Sequence, residues 1–194
     1  MAESDYDQLF QGTAARYNAT SYNINMYALL LAICARESNF DASVITPEDN
    51  GDYSTGLMQL ETATAKGLFN FGTLSDEEIR AQLLEPSFNL ELAGKLVLSL
   101  IKRYNGDLRL LISAYNAGSA MFDIDGQIVY WDPEGFFQVL NGKRSNISGY
   151  DAAKVDEYPI ANSDYVNYVL QKYRDYNSVT GEAGETSTGQ KKTK

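Results

Sequence analysis

Three separate segments of the chain carry side chains that could do chemistry together: a carboxyl, an amide and a phenol. Glu37 sits in Ala35-Arg36-Glu37-Ser38-Asn39-Phe40, directly after an apolar run. A carboxyl at the C-terminal end of a helix faces the negative end of the helix dipole, and one that follows a buried stripe is also desolvated. Both effects disfavour its ionised form and raise its pKa, as a general acid working near neutrality requires. Terminal carboxylates are also common surface residues, so the position alone supports either reading. The second segment, Ser54-Thr55-Gly56-Leu57-Met58-Gln59-Leu60, places a glycine where backbone passes closely and adds one soft apolar contact and one amide. It reads equally as a packed turn or as part of a site. The third, Ala114-Tyr115-Asn116-Ala117-Gly118, sets two polar groups on an otherwise apolar helix that stops at once in glycine. A buried tyrosine hydroxyl needs a partner, and a carboxyl oxygen is one candidate.

Composition narrows the chemistry further. The 194 residues include no histidine and a single cysteine, Cys34. That removes His-bearing triads, intramolecular disulfides and nearly all zinc chemistry, so no metal or cofactor is expected. Cys34 lies in an apolar run and reads as a small buried hydrophobe. The formal net charge of −10 disfavours a nucleic-acid backbone as partner and offers no long-range attraction to an anionic cell wall. No apolar run approaches the ~20 residues that span a bilayer, so membrane insertion is not expected. The start, Met1-Ala2-Glu3-Ser4-Asp5-Tyr6-Asp7, lacks the basic then apolar pattern of a signal peptide.

The elements that must position these groups are mainly helical. Met26, Leu29, Leu30, Ile33 and Cys34 form an i, i+3, i+4, i+7, i+8 stripe, which predicts an amphipathic helix over residues 25–38 with Glu37 in its last turn. Residues 40–53 are rich in turn formers and read as a loop. A short helix is expected over 57–68, and Ser75 with Glu78 forms a capping box for another that ends near 84. A long helix over 88–104 should stop at Asn105-Gly106, and a further apolar helix over 108–117 at Gly118. Residues 121–156 mix aromatic and β-branched residues with glycine, which predicts a loop-rich insertion with a small β-hairpin. A final helix is expected over 165–176. The chain thus reads as one domain over 21–177, preceded by a partly ordered segment 1–20 and followed from Ser178 by a Gly/Ser/Thr-rich disordered tail, 178–194.

Taken in order, the motifs resemble those of the soluble lytic transglycosylases of the Slt type. Glu37-Ser38-Asn39-Phe40 is similar to the family's Glu-Ser-x-Phe, and Gly56-Leu57-Met58-Gln59 to its Gly-Leu-Met-Gln. The stretch from Gly106-Asp107-Leu108 to Ala114-Tyr115-Asn116-Ala117-Gly118 looks like Gly-Asp-Leu…Ala-Tyr-Asn-Ala-Gly. Pro86 with Asn89 resembles the start of the preceding family helix, and Tyr158-Pro159 with Tyr165-Val166 its closing motif. The departures are a longer, acidic loop around Glu48-Asp49-Asn50-Gly51-Asp52, Thr62 in place of a proline, and Asn162-Ser163 in place of a Glu-Thr pair. Trp131, Tyr130, Phe136 and Phe137 of the insertion read equally as sugar-stacking surfaces or as core.

The resemblance implies a mainly α, lysozyme-like fold and a peptidoglycan substrate. It implies that Glu37 acts as general acid and then base, that Tyr115 orients it, and that Gln59 and Asn116 bind sugar or acetamido groups over a Met58 floor, with Tyr165 also at the site. The product would be a 1,6-anhydromuramic end. The alternatives are a hydrolytic muramidase on the same fold, with Glu61, Asp49 or Asp52 supplying a second carboxylate, and a non-catalytic glycan-binding or structural virion protein. Since the substrate lies in the periplasm or cell wall and no signal peptide is evident, delivery as a virion or secretion-machine component, among partner proteins of that assembly, is the expectation that context suggests.

Overall fold

The computed structural model describes residues 3–140 and 142–186. Its centre is α2 (Met26–Glu37), which starts where the Asn25 side chain accepts a hydrogen bond from the Ala28 N–H. Met26 and every residue from Ala28 to Ala35 are buried. The stripe seen in the sequence understates this: α2 is enclosed on all sides, so its small residues, Ala28, Ala32 and Ala35, serve close packing as much as Leu29 and Ile33 do.

α1 (Asp7–Arg16) packs on α2 and on α5 (Pro86–Arg103), placing Phe10 at zero exposure with its ring edge-on to Phe40. The N-terminal segment is therefore part of the core, anchored by one aromatic side chain. α1 and α5 meet at Gly94, where a Cβ would lie 2.5 Å from the Thr13 methyl. α4 (Asp76–Leu83) carries the expected capping box between Ser75 and Glu78, and α6 (Leu108–Ala117) starts at an Asp107 cap and ends at Gly118 with φ of 78°.

Residues 40–61 depart from the expected loop. β1 (Ile45–Pro47), β2 (Tyr53–Thr55) and β3 (Leu60–Glu61) form a small antiparallel sheet, and α3 (Thr62–Leu68) begins only after it. These strands are two or three residues long, too short for period-2 patterning to register in the sequence. The insertion is likewise larger than a hairpin. β4 (Ala120–Ile124), β5 (Gln127–Asp132), β6 (Gly135–Leu140) and β7 (Lys143–Asn146) form a four-stranded antiparallel meander. Its inner side holds a chain of aromatic contacts linking Tyr104, Trp131, Phe136, Phe122, Tyr150 and Tyr158. Tyr130 stacks on Phe137, so all four aromatics with an open role are engaged in packing within this sheet.

α7 (Ser163–Thr186) lies along α2 and α6 and buries Tyr165, Val166, Val169 and Tyr173. It continues to Thr186, beyond the Ser178 boundary where a disordered tail was expected to begin. No proline interrupts it, and extending an anchored helix through Glu182, Ala183 and Glu185 costs little once the packed turns have nucleated it. The rest of the expected tail, 187–194, lies outside the described residues. Among the described residues no helix is long and apolar enough to cross a membrane.

Candidate active site

The α2 C-terminus delivers Glu37 into a cleft of about 300 Å³. Arg36, Thr46, Glu48, Gln59 and Glu61 line it with Tyr115, Asn116 and Tyr165. A second cavity adjoins it and shares Glu61, Thr64, Leu96, Tyr115 and Asn116, running on along α5 and α6 to Arg103 and Gly118. The two together make an elongated groove with the carboxyl toward one end.

Glu37 keeps partial exposure into this groove, yet the protein packed around its carboxyl is dense. Burial pushes its pKa up to about 7. A hydrogen bond from Tyr165 and the Arg36 charge pull in the other direction, and the Glu48 carboxylate adds to the rise. The leading cause is thus desolvation, as the apolar run before Glu37 suggests. The group is poised to give and take a proton near neutral pH.

The hydroxyl that reaches Glu37 belongs to Tyr165, which donates to Oε1. Tyr115, expected in that role, donates instead to the Met58 carbonyl at 2.8 Å. Both phenols are held well above their ordinary pKa, by burial first and then by the Glu37 charge, so both remain donors. Arg36 lies over the Tyr165 and Tyr168 rings at 5.6 and 5.7 Å, which braces the tyrosine against Glu37.

The Gly56-Leu57-Met58-Gln59 turn is tied down from several directions. Asn89, fully buried on α5, accepts from the Met58 N–H and donates to the Thr55 and Leu83 carbonyls. Ser38 donates to the Leu57 carbonyl at 2.7 Å. Met58 is itself fully buried, so it is no exposed floor; what it offers the site is a backbone carbonyl that seats Tyr115. Gln59 does line the cleft, at φ of 45°, with Nε2 donating to the Val44 and Gly56 carbonyls and Oε1 accepting from Thr46. Its amide braces the cleft wall. Asn116 stands exposed where the two cavities join.

A family model, the transglycosylase SLT domain, matches residues 13–133. The chain belongs to this family. The matched stretch holds Glu37, Met58, Gln59, Tyr115 and Asn116, and stops short of Tyr165. Over 105 residues the chain is 30% identical to protein IpgF of Shigella flexneri, covering 54% of this chain and 62% of that protein. It therefore spans less than two thirds of that relative. Among solved structures, an inactive mutant of the lytic transglycosylase Slt from Pseudomonas aeruginosa is 28% identical, with a TM-score of 0.41 over 56% of this chain and 16% of that one. The 70 kDa soluble lytic transglycosylase of Escherichia coli is 26% identical, with a TM-score of 0.44 over 58% and 17%.

In this SLT domain the acidic loop contributes unevenly. Glu48 and Glu61 line the cleft, whereas Asp49 does not and Asp52 is occupied in receiving the Ala63 and Tyr53 N–H groups. Sequence reasoning left out Glu48, whose place beside Glu37 depends on the β1–β2 turn, and Arg36, whose stacking depends on α7. The two tyrosines give separable expectations. Tyr165→Phe should cut turnover on the order of tenfold or more by removing a hydrogen bond to the charged carboxyl. That bond lowers the Glu37 pKa, so its loss should also move the alkaline fall of kcat/KM to higher pH. Tyr115→Phe should leave that limb in place and cost about 1–3 kcal/mol of stability by orphaning the Met58 carbonyl. Matched pH–rate profiles and denaturation curves would show it, and a shifted limb in Tyr115→Phe would return the orienting role to that residue.

Proposed function

We propose that the chain is a peptidoglycan lytic transglycosylase that cleaves the β-1,4 bond between N-acetylmuramic acid and N-acetylglucosamine and leaves a 1,6-anhydromuramic end. The observation that carries this is the Glu37 carboxyl itself, desolvated by the protein packed around it and held by the Tyr165 phenol donor where it opens into an elongated groove. Protonated Glu37 gives its proton to the glycosidic oxygen as the C1–O bond breaks. The resulting carboxylate then takes the proton of the C6 hydroxyl as O6 closes onto C1, which restores Glu37 and consumes no water. One carboxyl thereby serves both steps. Gln59 and Asn116 face the bound sugars, and Tyr165 holds Glu37 in line.

A hydrolytic muramidase on the same frame is the second reading, favoured by one feature: Glu48 and Glu61 share the cleft with Glu37 and could activate a water. Mass analysis of the muropeptides released from purified peptidoglycan separates the two, because anhydro ends are lighter than reducing ends by one water. Reducing ends alone would establish hydrolysis. No turnover at all, with glycan binding intact, would leave the non-catalytic binding protein. The site of action is the periplasm or cell wall, with delivery by a virion or secretion machine. Finding the chain in purified particles would support that route.

A further inference from the structure

Asn162 stands where the family pattern of the closing motif has an acidic residue, in the link between Ile160, which bridges to β4, and the start of α7. Its side chain joins a hydrogen-bond chain whose directions are fixed at both ends. The Met121 backbone N–H can only donate, and it donates to Ser113 Oγ at 3.0 Å. The Ser113 hydroxyl is therefore left to donate its own hydrogen, which goes to Asn162 Oδ1 at 2.7 Å. That makes the other amide atom of Asn162 the nitrogen. Its two hydrogens go to the Ser113 carbonyl, which can only accept, at 3.1 Å, and to Asn116 at 2.9 Å. Asn116 must present its oxygen to Asn162, so its Nδ2 is turned away from the network. Asn116 lines both cavities at their junction, and no acceptor among the described residues takes its Nδ2 hydrogens.

We propose that Asn162 is a positioning residue that locks the Asn116 amide with Nδ2 facing the groove, where it donates to the acetamido carbonyl of an N-acetylated sugar. This rests on the glycan-cleaving reading above and adds a source of selectivity to the same site. An amide free to flip would accept a sugar hydroxyl as readily as it donates to a carbonyl; an amide held as a donor favours substrates that carry the acetyl oxygen. An acidic residue at 162 would reverse the arrangement. A carboxylate there accepts from Ser113, has no hydrogen to give, and draws the Asn116 Nδ2 toward itself.

The test is calorimetric titration of a peptide-free N-acetylated glycan oligomer, and of its de-N-acetylated counterpart, into the native chain, Asn162→Asp and Asn116→Asp. The native chain should prefer the acetylated oligomer. Both variants should lose about tenfold in affinity for it while binding the de-N-acetylated oligomer at least as well, the change expected for loss of one oriented neutral hydrogen bond. Variants that keep the native preference would overturn the proposal. Melting temperature supplies an arm that needs no glycan. Asn116→Asp keeps the oxygen that Asn162 requires and should melt with the native chain, whereas a drop of several degrees would mean that Asn116 donates to Asn162 and the orientation is reversed. If the native chain binds neither oligomer, the peptidoglycan reading fails, and the melting comparison still decides the orientation.

Discussion

Glu37→Gln is expected to abolish muropeptide release to the extent of the whole acid/base contribution, on the order of 10²- to 10⁴-fold or more. Glutamine keeps the size of the side chain and an oxygen for Tyr165 to donate to, but it cannot give and then take back the proton that the proposed mechanism requires of this position. The same substitution should stabilise the fold in a pH-dependent way. The folded pKa is raised to about 7 from 4.5, so between those values the native state holds a proton that the unfolded chain has lost. Stability contributed at this position is therefore fully present below pH ~4.5 and falls as pH rises toward 7. Glutamine resembles the protonated form throughout. The variant should match the native chain at pH 4 and exceed it by about 1–3 kcal/mol at pH 8, the lower part of that range allowing for the solvent that reaches Glu37 through the cleft. Urea unfolding at the two pH values reads the difference directly. A mutant that cleaves at the native rate would remove Glu37 from the mechanism, and equal stabilities at pH 8 would mean that its carboxyl is not desolvated.

Much of this site is legible in the sequence because its key groups stand next to strong local signals. Glu37 follows the apolar run of α2, and Tyr115 and Asn116 precede a helix-stopping glycine, so periodicity alone placed them at element ends. What sequence could not supply was the pairing across distant segments. Tyr165 lies 128 residues from Glu37 and meets it only because α7 runs along α2, which no local pattern encodes. Asn162-Ser163 replaces the family's Glu-Thr pair just before Tyr165, yet the link after Ile160 still seats the helix and brings Tyr165 to Glu37. The exchange of partners between Tyr115 and Tyr165 has the same origin. Either phenol satisfies the rule that a buried hydroxyl must find an acceptor, and only the packing of three helices decides which acceptor each one meets. The short strands were missed because pairing, not patterning, makes them.

The Gly-Leu-Met-Gln turn owes its shape to Asn89, and Asn89→Ala is expected to cost the fold about 3–5 kcal/mol. The side chain is fully buried and makes three hydrogen bonds of 2.8–2.9 Å, to the Met58 N–H and the Thr55 and Leu83 carbonyls. Alanine would strand all three partners in a space too tight to be wetted freely, at about 1–3 kcal/mol for each group that stays unsatisfied. The space is tight because Gly56, at φ of 79°, approaches so closely that a Cβ there would sit 2.3 Å from the Leu83 carbonyl oxygen and 2.7 Å from Asn89 Nδ2. For a chain of this size the loss corresponds to a melting temperature lower by roughly 6–20 °C. Activity should fall as well at temperatures where the variant remains folded, because the same turn presents the Met58 carbonyl to Tyr115 and Gln59 to the cleft. Asn89→Asp separates the two bond directions: it can still accept from the Met58 N–H but gives nothing to the two carbonyls, so it should be nearly as damaging. Thermal and urea unfolding of the two variants decide the matter, and a loss below about 1 kcal/mol in Asn89→Ala would show that the turn keeps its shape without this residue.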